Sequence, residues 1–390
     1  MRQFLAILFI LLCVVMTGCA AAAPGEADVR LIALNVGKGD CLLLLIGENA
    51  YLIDSGYDYT YNRLREAMAQ YHVARLNGVF LSHCDKDHYG GLMALAQSDM
   101  PVDAWYAAAI YYDIPAGGHP MALAAGRRGD TVQYLNAGDT LNLTSAAVLR
   151  VIGPLTCNTE NENNNSLVFY VDTPQGTLLF TGDMKLAEEY ELWEAGAFAH
   201  ADLLKVPFHG DNSASSQRFV DAVLPGAALI STSTAQEPDT PASSILKRYG
   251  KAGAALYVTQ DYPWGIEFTL LHGQVTGATL QWDVPDFSQS LRASIDMDDD
   301  LLTLYNSSGD PIALGGWIIF STKGEECLTL PQDAVLPANG VYKIGSRSTG
   351  GSADLKADIK RIWHKSKYDQ CLVFDAAGDL AVFTDNGMAE

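Results

Sequence analysis

Residues 82–88 read Ser-His-Cys-Asp-Lys-Asp-His, and no other stretch of the chain restricts its fold so tightly. His83, Asp85, Asp87 and His88 bring two imidazoles and two carboxylates within six positions. Carboxylates this close repel one another and resist burial. A divalent cation removes that cost, and the mixed nitrogen and oxygen donors suit Zn²⁺ or Mn²⁺. The flanks place the cluster. Asn77 to Leu81 (NGVFL) reads as a short buried strand, and Gly90, Gly91 and LMALA read as a helix start. The cluster therefore belongs on a strand-to-helix loop, at the carboxyl end of a strand, where α/β sheets bind ligands. Cys84, the residue between His83 and Asp85, is expected to point away from the metal and pack.

With 390 residues, 48% of them hydrophobic, the chain can build a large core and more than one domain. Its first residues stand apart. Arg2 precedes an apolar run, Phe4 to Met16, that is shorter than the ~20 residues of a membrane-spanning helix and fits the core of a signal peptide. The ending Thr17-Gly18-Cys19 resembles a bacterial lipobox, in which the signal is cut before the cysteine and that cysteine carries lipid; the alternative is cleavage near Ala20–Ala23 and ordinary secretion. A lipid-anchored, extracytoplasmic protein is expected, or else a secreted one. The net charge of −21, with no basic stripe, does not advertise tight nucleic-acid binding, which needs clustered cations. Of the seven cysteines, two fall in the leader and five remain without paired spacing, so a disulfide framework is not expected; Cys327 with Cys371 is the one speculative pair.

Strand signals run through 29–36, 41–46 and 51–53 with Gly-rich turns between them, and 61–71 has helical spacing of apolar residues. Residues 99–145 read as irregular, with a helix near Met121–Arg128. A second half follows: strands at 148–152, 167–171 and 177–180, then Thr181-Gly182-Asp183, a helix over KLAEEYELWEAG, a strand at 202–206 and Pro207-Phe208-His209-Gly210. Helices at 216–224 and 243–249, with strands at 228–231 and between 255 and 282, complete it. The division expected is a signal peptide 1–19, a tether 20–28, a catalytic domain 29–283, a polar, acidic linker 284–298, and a small β-sandwich 299–390. Trp317 and Trp363 are expected to fill the sandwich core.

The blocks NVGKGDCLLLLIGENAYLIDSG (35–56), SHCDKDHYGGL (82–92), NNNSLVFY (163–170), LLFTGD (178–183) and LLKVPFHGDNSASS (203–216) occur in this order. Together they resemble the metallo-β-lactamase superfamily, and within it the hydrolase domain of ComEC-type competence proteins. The fold implied is α+β: an αββα metallo-β-lactamase sandwich followed by a small all-β sandwich. The tail, with LTLYNSSGDPIALGGWII and IWHKSKYDQCLVFDAAGDLA, resembles a lamin-tail domain. The resemblance implies two divalent metal ions, Zn or Mn. Asp183 would bridge them, one site using His83 and Asp85, the other Asp87, His88 and His209. Asp87 and Asp183 would be central to catalysis. Asp85 stands where most of the superfamily has histidine, as in the competence-like branch, and Phe208 stands for another histidine. No histidine lies near 158–166 to serve as the usual third ligand of the first site, where Asn163, Asn164, Asn165 and Glu162 are available; Asn165 is the candidate. Asp54 is expected to hydrogen-bond the metal loop. Lys205 has two readings, a contact to an anionic substrate or a structural ion pair.

The function expected is a hydrolase using a metal-activated hydroxide on an anionic small-molecule or polymer substrate, a phosphoester or phosphodiester such as DNA. Two alternatives stand beside it. One is an envelope-directed esterase of phosphocholine type. The other is a non-catalytic, metal-stabilised surface protein whose tail binds an envelope partner. The leader yields a test. Cys19→Ser is expected to abolish palmitate labelling and to release the protein from the membrane fraction; unchanged labelling would exclude Cys19 as the acceptor.

Overall fold

The computed structural model describes residues 28–283 and 285–388. The leader, with Cys19, and nearly all of the expected tether lie outside the described residues. Two sheets form the larger unit. In the first, strands run in the order 274–279, 265–271, 29–34, 42–46, 49–53, 78–81, 105–108, 132–135. The first five pair antiparallel and the rest parallel. The second runs 255–258, 227–230, 203–205, 176–180, 168–173, 148–153, 140–142.

Three apolar layers bind these sheets. Between them lie Leu31, Leu44, Phe80, Phe169, Leu178 and Phe268 among others. The Phe80 ring stacks on Tyr106 at 4.6 Å and meets Phe169 of the opposite sheet at 5.6 Å. The outer face of the first sheet packs on helices 61–70, 92–97 and 120–127; that of the second packs on helices 186–194, 217–223 and 243–251. The result is a four-layer αββα sandwich. Leu42–Ile46 (LLLLI) is buried on both faces, which explains its unbroken apolar run.

Residues 99–145, expected to be irregular, hold three strands. Trp105–Ala108 and Val132–Leu135 extend the first sheet, and Thr140–Asn142 edges the second. They are short and flanked by proline and glycine, so no period shows in the sequence. Strand Leu291–Asp296 likewise falls inside the stretch expected to be linker. Only Leu291 of this strand is fully buried and alternate residues face solvent, so its composition reads as polar.

The C-terminal unit stacks one four-stranded sheet (291–296, 301–306, 341–345, 355–356) on another (327–329, 318–321, 370–374, 380–385). Trp317 and Trp363 are buried in the shared core. Cys327 and Cys371 are both free thiols. Cys327 pairs with Phe320, and Cys371 with Ser321, on opposite sides of the strand Ile318–Ser321. Two strand spacings, about 9.6 Å, separate them, beyond the ~7 Å Cα limit of a disulfide.

The two units dock through helix 61–70. Asn62, 1% exposed, donates from Nδ2 to the Gly316 carbonyl at 2.8 Å and the Asp375 carbonyl at 2.7 Å. Arg63 Nε donates to Gly378 O at 3.0 Å and Arg65 Nη2 to Ala376 O at 2.5 Å. Tyr59 stacks on Phe320 at 4.2 Å and on Phe374 at 5.6 Å. Asn62→Ala removes both buried donors and is expected to weaken docking by about 1–3 kcal/mol. Thermal unfolding should then split into two steps, with faster proteolysis between residues 283 and 290. A single unchanged transition would show that the other contacts suffice.

Candidate metal centre

Several chain segments end at one edge of the sandwich. Each leaves the carboxyl end of a strand or the turn before one, so a rigid scaffold holds every side chain. Strand Gly78–Leu81 leads into His83, and a short helix, Lys86–Tyr89, begins within the motif itself. This helix carries Asp87 and His88 inward, while Cys84 packs in the core beneath, its thiol pushed up to about 12 by burial. Strand Gly176–Phe180 leads to Asp183, and strand Leu203–Lys205 leads to His209. Gly182 has φ +49°, and a Cβ there would stand 2.8 Å from Ser82 Cβ and 2.9 Å from Ser166 Oγ. A glycine is what lets the Asp183 loop close on the His83 loop.

Asp183, 1% exposed, sits at the centre. Its Oδ1 lies 3.3 Å from His88 Nε2, and its Oδ2 lies 3.1 Å from His209 Nε2 and 3.9 Å from His83 Nε2. Asp87 Oδ2 is 3.4 Å from His209 Nε2 and 4.0 Å from His88 Nε2. Asp85 Oδ2 is 3.3 Å from His83 Nε2. On the far side of each ring Nδ1 is engaged. His88 Nδ1 meets Asp54 Oδ2 at 2.8 Å, His209 Nδ1 meets the Ser231 carbonyl at 2.8 Å, and His83 Nδ1 meets Ser82 Oγ at 3.0 Å. Every Nε2 is thereby aimed at the same carboxylate.

Charge follows this geometry. Burial by itself raises the Asp183 carboxyl, but His209, His88 and Lys205 hold it well below the usual carboxylate range. Burial also opposes ionisation of Asp87, and His88 and His209 overcome it in the same way. The His88 imidazole, which burial lowers, is driven well above its ordinary value by Asp183, Asp54 and Asp87.

The residues fit a metal. Nε2 of His88 and of His209 are buried with no hydrogen-bond partner among the described residues, although carboxylate oxygens lie close. Asp87, His88, Asp183 and His209 offer ligand atoms all within 4.8 Å of one another. Ligands about 2.0–2.2 Å from a zinc ion stand about 3–3.5 Å apart, the spacing seen around Asp183. On the other side His83 and Asp85 face Asp183 with Asn163, whose Nδ2 lies 3.2 Å from His83 Nε2 and 3.1 Å from Asp85 Oδ2.

One expectation needs correction, the two readings of Lys205 are decided, and Asp54 is seen in the role expected of it. Asn165 does not face the site: its side chain braces the 158–165 turn through Asn158 and Glu162, and Asn163 faces His83 instead. Lys205 is 2% exposed and bonded to Asp40 at 2.5 Å and Asp183 at 3.4 Å, so it is a buried ion pair and not a substrate contact. Asp54 takes the hydrogen-bonding role: Oδ1 accepts from Ser82 N at 2.8 Å and Oδ2 from Ser82 Oγ at 2.7 Å, besides its bond to His88. Asp40 was not singled out in the sequence. It is buried beside Lys205, with Nδ1 of His88 at 3.8 Å and of His209 at 3.9 Å, and its Oδ1 has no hydrogen-bond partner. The signal for it was an aspartate in the GKGD turn of a block already recognised.

An αββα sandwich with three imidazoles converging on one carboxylate at its edge defines a fold built around a candidate metal centre. The family model described as metallo-beta-lactamase superfamily matches residues 34–234, and the chain belongs to that superfamily. It is 23% identical over 244 residues to "ComE operon protein 3" of Bacillus subtilis (strain 168), a match covering 58% of this chain and 30% of that protein. It is 26% identical over 238 residues to "Uncharacterized protein YcaI" of Escherichia coli (strain K12), covering 59% and 28%. With "Competence protein ComA" of Neisseria gonorrhoeae it shares 24% over 270 residues, covering 66% and 35%. The matches span about a third of the length of these relatives.

The site has a pH signature. Burial lowers the His209 imidazole, but Asp183 and Asp87 raise it from 6.5 to about 9. Without metal, folding therefore favours the protonated ring: the stabilisation is complete below pH 6.5 and is lost as pH rises through about 9. Urea unfolding in chelator should show stability falling across that interval, by roughly 3 kcal/mol for a shift of this size. Added metal binds only the deprotonated ring, so its stabilising effect should grow over the same range. A flat profile in chelator would exclude this coupling.

Proposed function

We propose that the protein is a metal-dependent hydrolase of phosphodiesters or phosphoesters, with DNA as the leading substrate, acting outside the cytoplasmic membrane. The observation that carries this is the convergence of three imidazole Nε2 atoms on Asp183, each ring fixed from behind. A pure binding module has no need of such a cluster. Its buried, unpartnered nitrogens are costly unless something binds them.

The donors divide around Asp183. His83, Asp85 and Asn163 lie to one side, and Asp87, His88 and His209 to the other. This oxygen-rich set suits Mn²⁺ as well as Zn²⁺. Divalent cations held by these residues would supply Lewis acidity toward an anionic substrate and would lower the pKa of a bound water. The chain does the positioning. Asp54 and the Ser231 carbonyl fix which nitrogen of His88 and of His209 faces inward. Lys205 balances the charge of Asp40 and Asp183, keeping both carboxylates buried. The name of one relative, "Competence protein ComA", points to competence, which supports DNA over other phosphodiesters. The leader supports an extracytoplasmic address.

Asp183→Asn and His88→Ala are expected to lower turnover of single-stranded DNA and of bis(4-nitrophenyl) phosphate by at least ~100-fold, since each removes a central ligand. Metal per chain, read by plasma mass spectrometry, should fall from two in the wild type in both variants. Full turnover in either variant would place the chemistry elsewhere.

A further inference from the structure

Beside the metal centre, two lysines converge on one aromatic ring. Lys38 Nζ lies 5.8 Å and Lys185 Nζ 4.4 Å from the centroid of Phe208. Lys38 is also 3.8 Å from Asp87 Oδ2, so the group begins at the cluster's edge. Phe208 and His209 are consecutive non-glycine residues with φ of 45° and 52°. That left-handed pair costs of order 1–2 kcal/mol per residue and serves a division of labour. It turns His209 fully inward and leaves Phe208 half-buried at the mouth.

Cation–π contact accounts for about 0.5–1 kcal/mol at each lysine, but it does not explain two like charges around one ring. Lys185 pairs with no carboxylate among the described residues, in a chain of net charge −21 that has many to offer. Among the described residues Lys38 pairs with Asp87 alone, whose charge a metal would share. Two ammonium groups held this close on one rim leave a positive charge that an anionic group beside the ring, in contact with the lysines, would balance.

We propose that Lys38, Phe208 and Lys185 form a recognition site for the phosphate adjoining the scissile ester in a single-stranded nucleic acid, with the Phe208 ring offered to a base. This inference rests on the phosphodiesterase reading and narrows it. A zwitterionic phosphocholine ester would bring its own cation against two ammonium groups, whereas a strand brings a second phosphate and a flat base. Aromatic rings combined with cations are the usual single-strand platform. Lysine acts on phosphate as a point charge, so the contact tolerates any sequence.

The test separates binding from hydrolysis. Anisotropy is measured with the full chain in manganese and a labelled, hydrolysis-resistant phosphorothioate single strand, then repeated in chelator. Lys185→Glu is expected to weaken binding by about tenfold and to reduce the slope of log K against log salt by about 1. Phe208→Ala should also weaken it, with an unchanged melting curve as the folding control, and Lys185→Arg should retain the wild-type affinity. Wild-type protein that does not bind the strand, or Lys185→Glu binding within about twofold of wild type with the same salt slope, overturns the site. Lysine-dependent binding without hydrolysis of any phosphodiester would leave this site standing and sink the hydrolase reading. Hydrolysis with lysine-independent binding would do the reverse.

Discussion

The buried carboxylate of Asp183 is the junction on which the candidate metal centre depends. It touches imidazoles from both sheets and the ammonium of Lys205. Asp40, Asp54 and Asp87 lie buried in the same few ångströms, so four carboxylates face one buried ammonium. That excess of negative charge cannot persist in a low-dielectric interior without compensation. Without metal, the compensation comes from protons on His88 and His209, both held above their ordinary range. With metal it comes from the cations, and the protons must leave. Metal binding and protonation are thus two solutions to one electrostatic problem. Lys205 belongs to the permanent part of the solution, because burial lowers its pKa and yet Asp40 and Asp183 hold it above the usual lysine value.

The fold makes this density of charge possible by ending several segments at one edge. No single segment supplies a complete ligand set. The 82–88 motif brings His83, Asp85, Asp87 and His88, but the atom they share, the Asp183 carboxylate, comes from the opposite sheet. The two sheets must therefore be in register across their common core before the site exists. The close approach at Gly182 is where that register is felt most sharply.

Much of this was legible in the sequence, and the reasons differ by residue. The 82–88 cluster announced itself through residue types that are costly together. Asp183 and His209 were legible through the resemblance of their blocks, LLFTGD and LLKVPFHGDNSASS, to the family's motifs. Asp40 was not, because its partner Lys205 lies 165 positions away and meets it only when strand Leu203–Lys205 lines up beside the 35–41 turn. Asn163 and Asn165 could not be told apart because both sit in one asparagine-rich turn, and only the turn's backbone decides which side chain faces His83. The strands at 105–108 and 132–135 escaped for a different reason: four residues between glycines and prolines are too few to show a period. The likeness of the tail to a lamin-tail domain rests on its sequence motifs, while its two stacked sheets are seen directly.

The C-terminal unit is tied to the metal centre through one short turn. Asp54, which holds His88 and the backbone of Ser82, is followed within five residues by Tyr57 and Tyr59, whose rings stack at 5.0 Å. Tyr59 in turn lies on Phe320 and Phe374 of the C-terminal sheet. On its other flank the turn presses against the metal-loop helix: a Cβ at Gly90 would stand 2.4 Å from the Asp58 amide nitrogen. Lys86 of that helix also pairs with Glu325 of the C-terminal unit. Between the two units lies a cleft of about 580 Å³, walled by Tyr57, Tyr89, Phe320 and Gln370. Gln236, also on its wall, accepts the amide of Lys38 at 2.5 Å, so the cleft opens beside the lysine next to Asp87. The second unit is therefore more than an appended module. It fixes the outer face of the turn that orients His88, and it forms one wall of the cleft that opens beside Lys38.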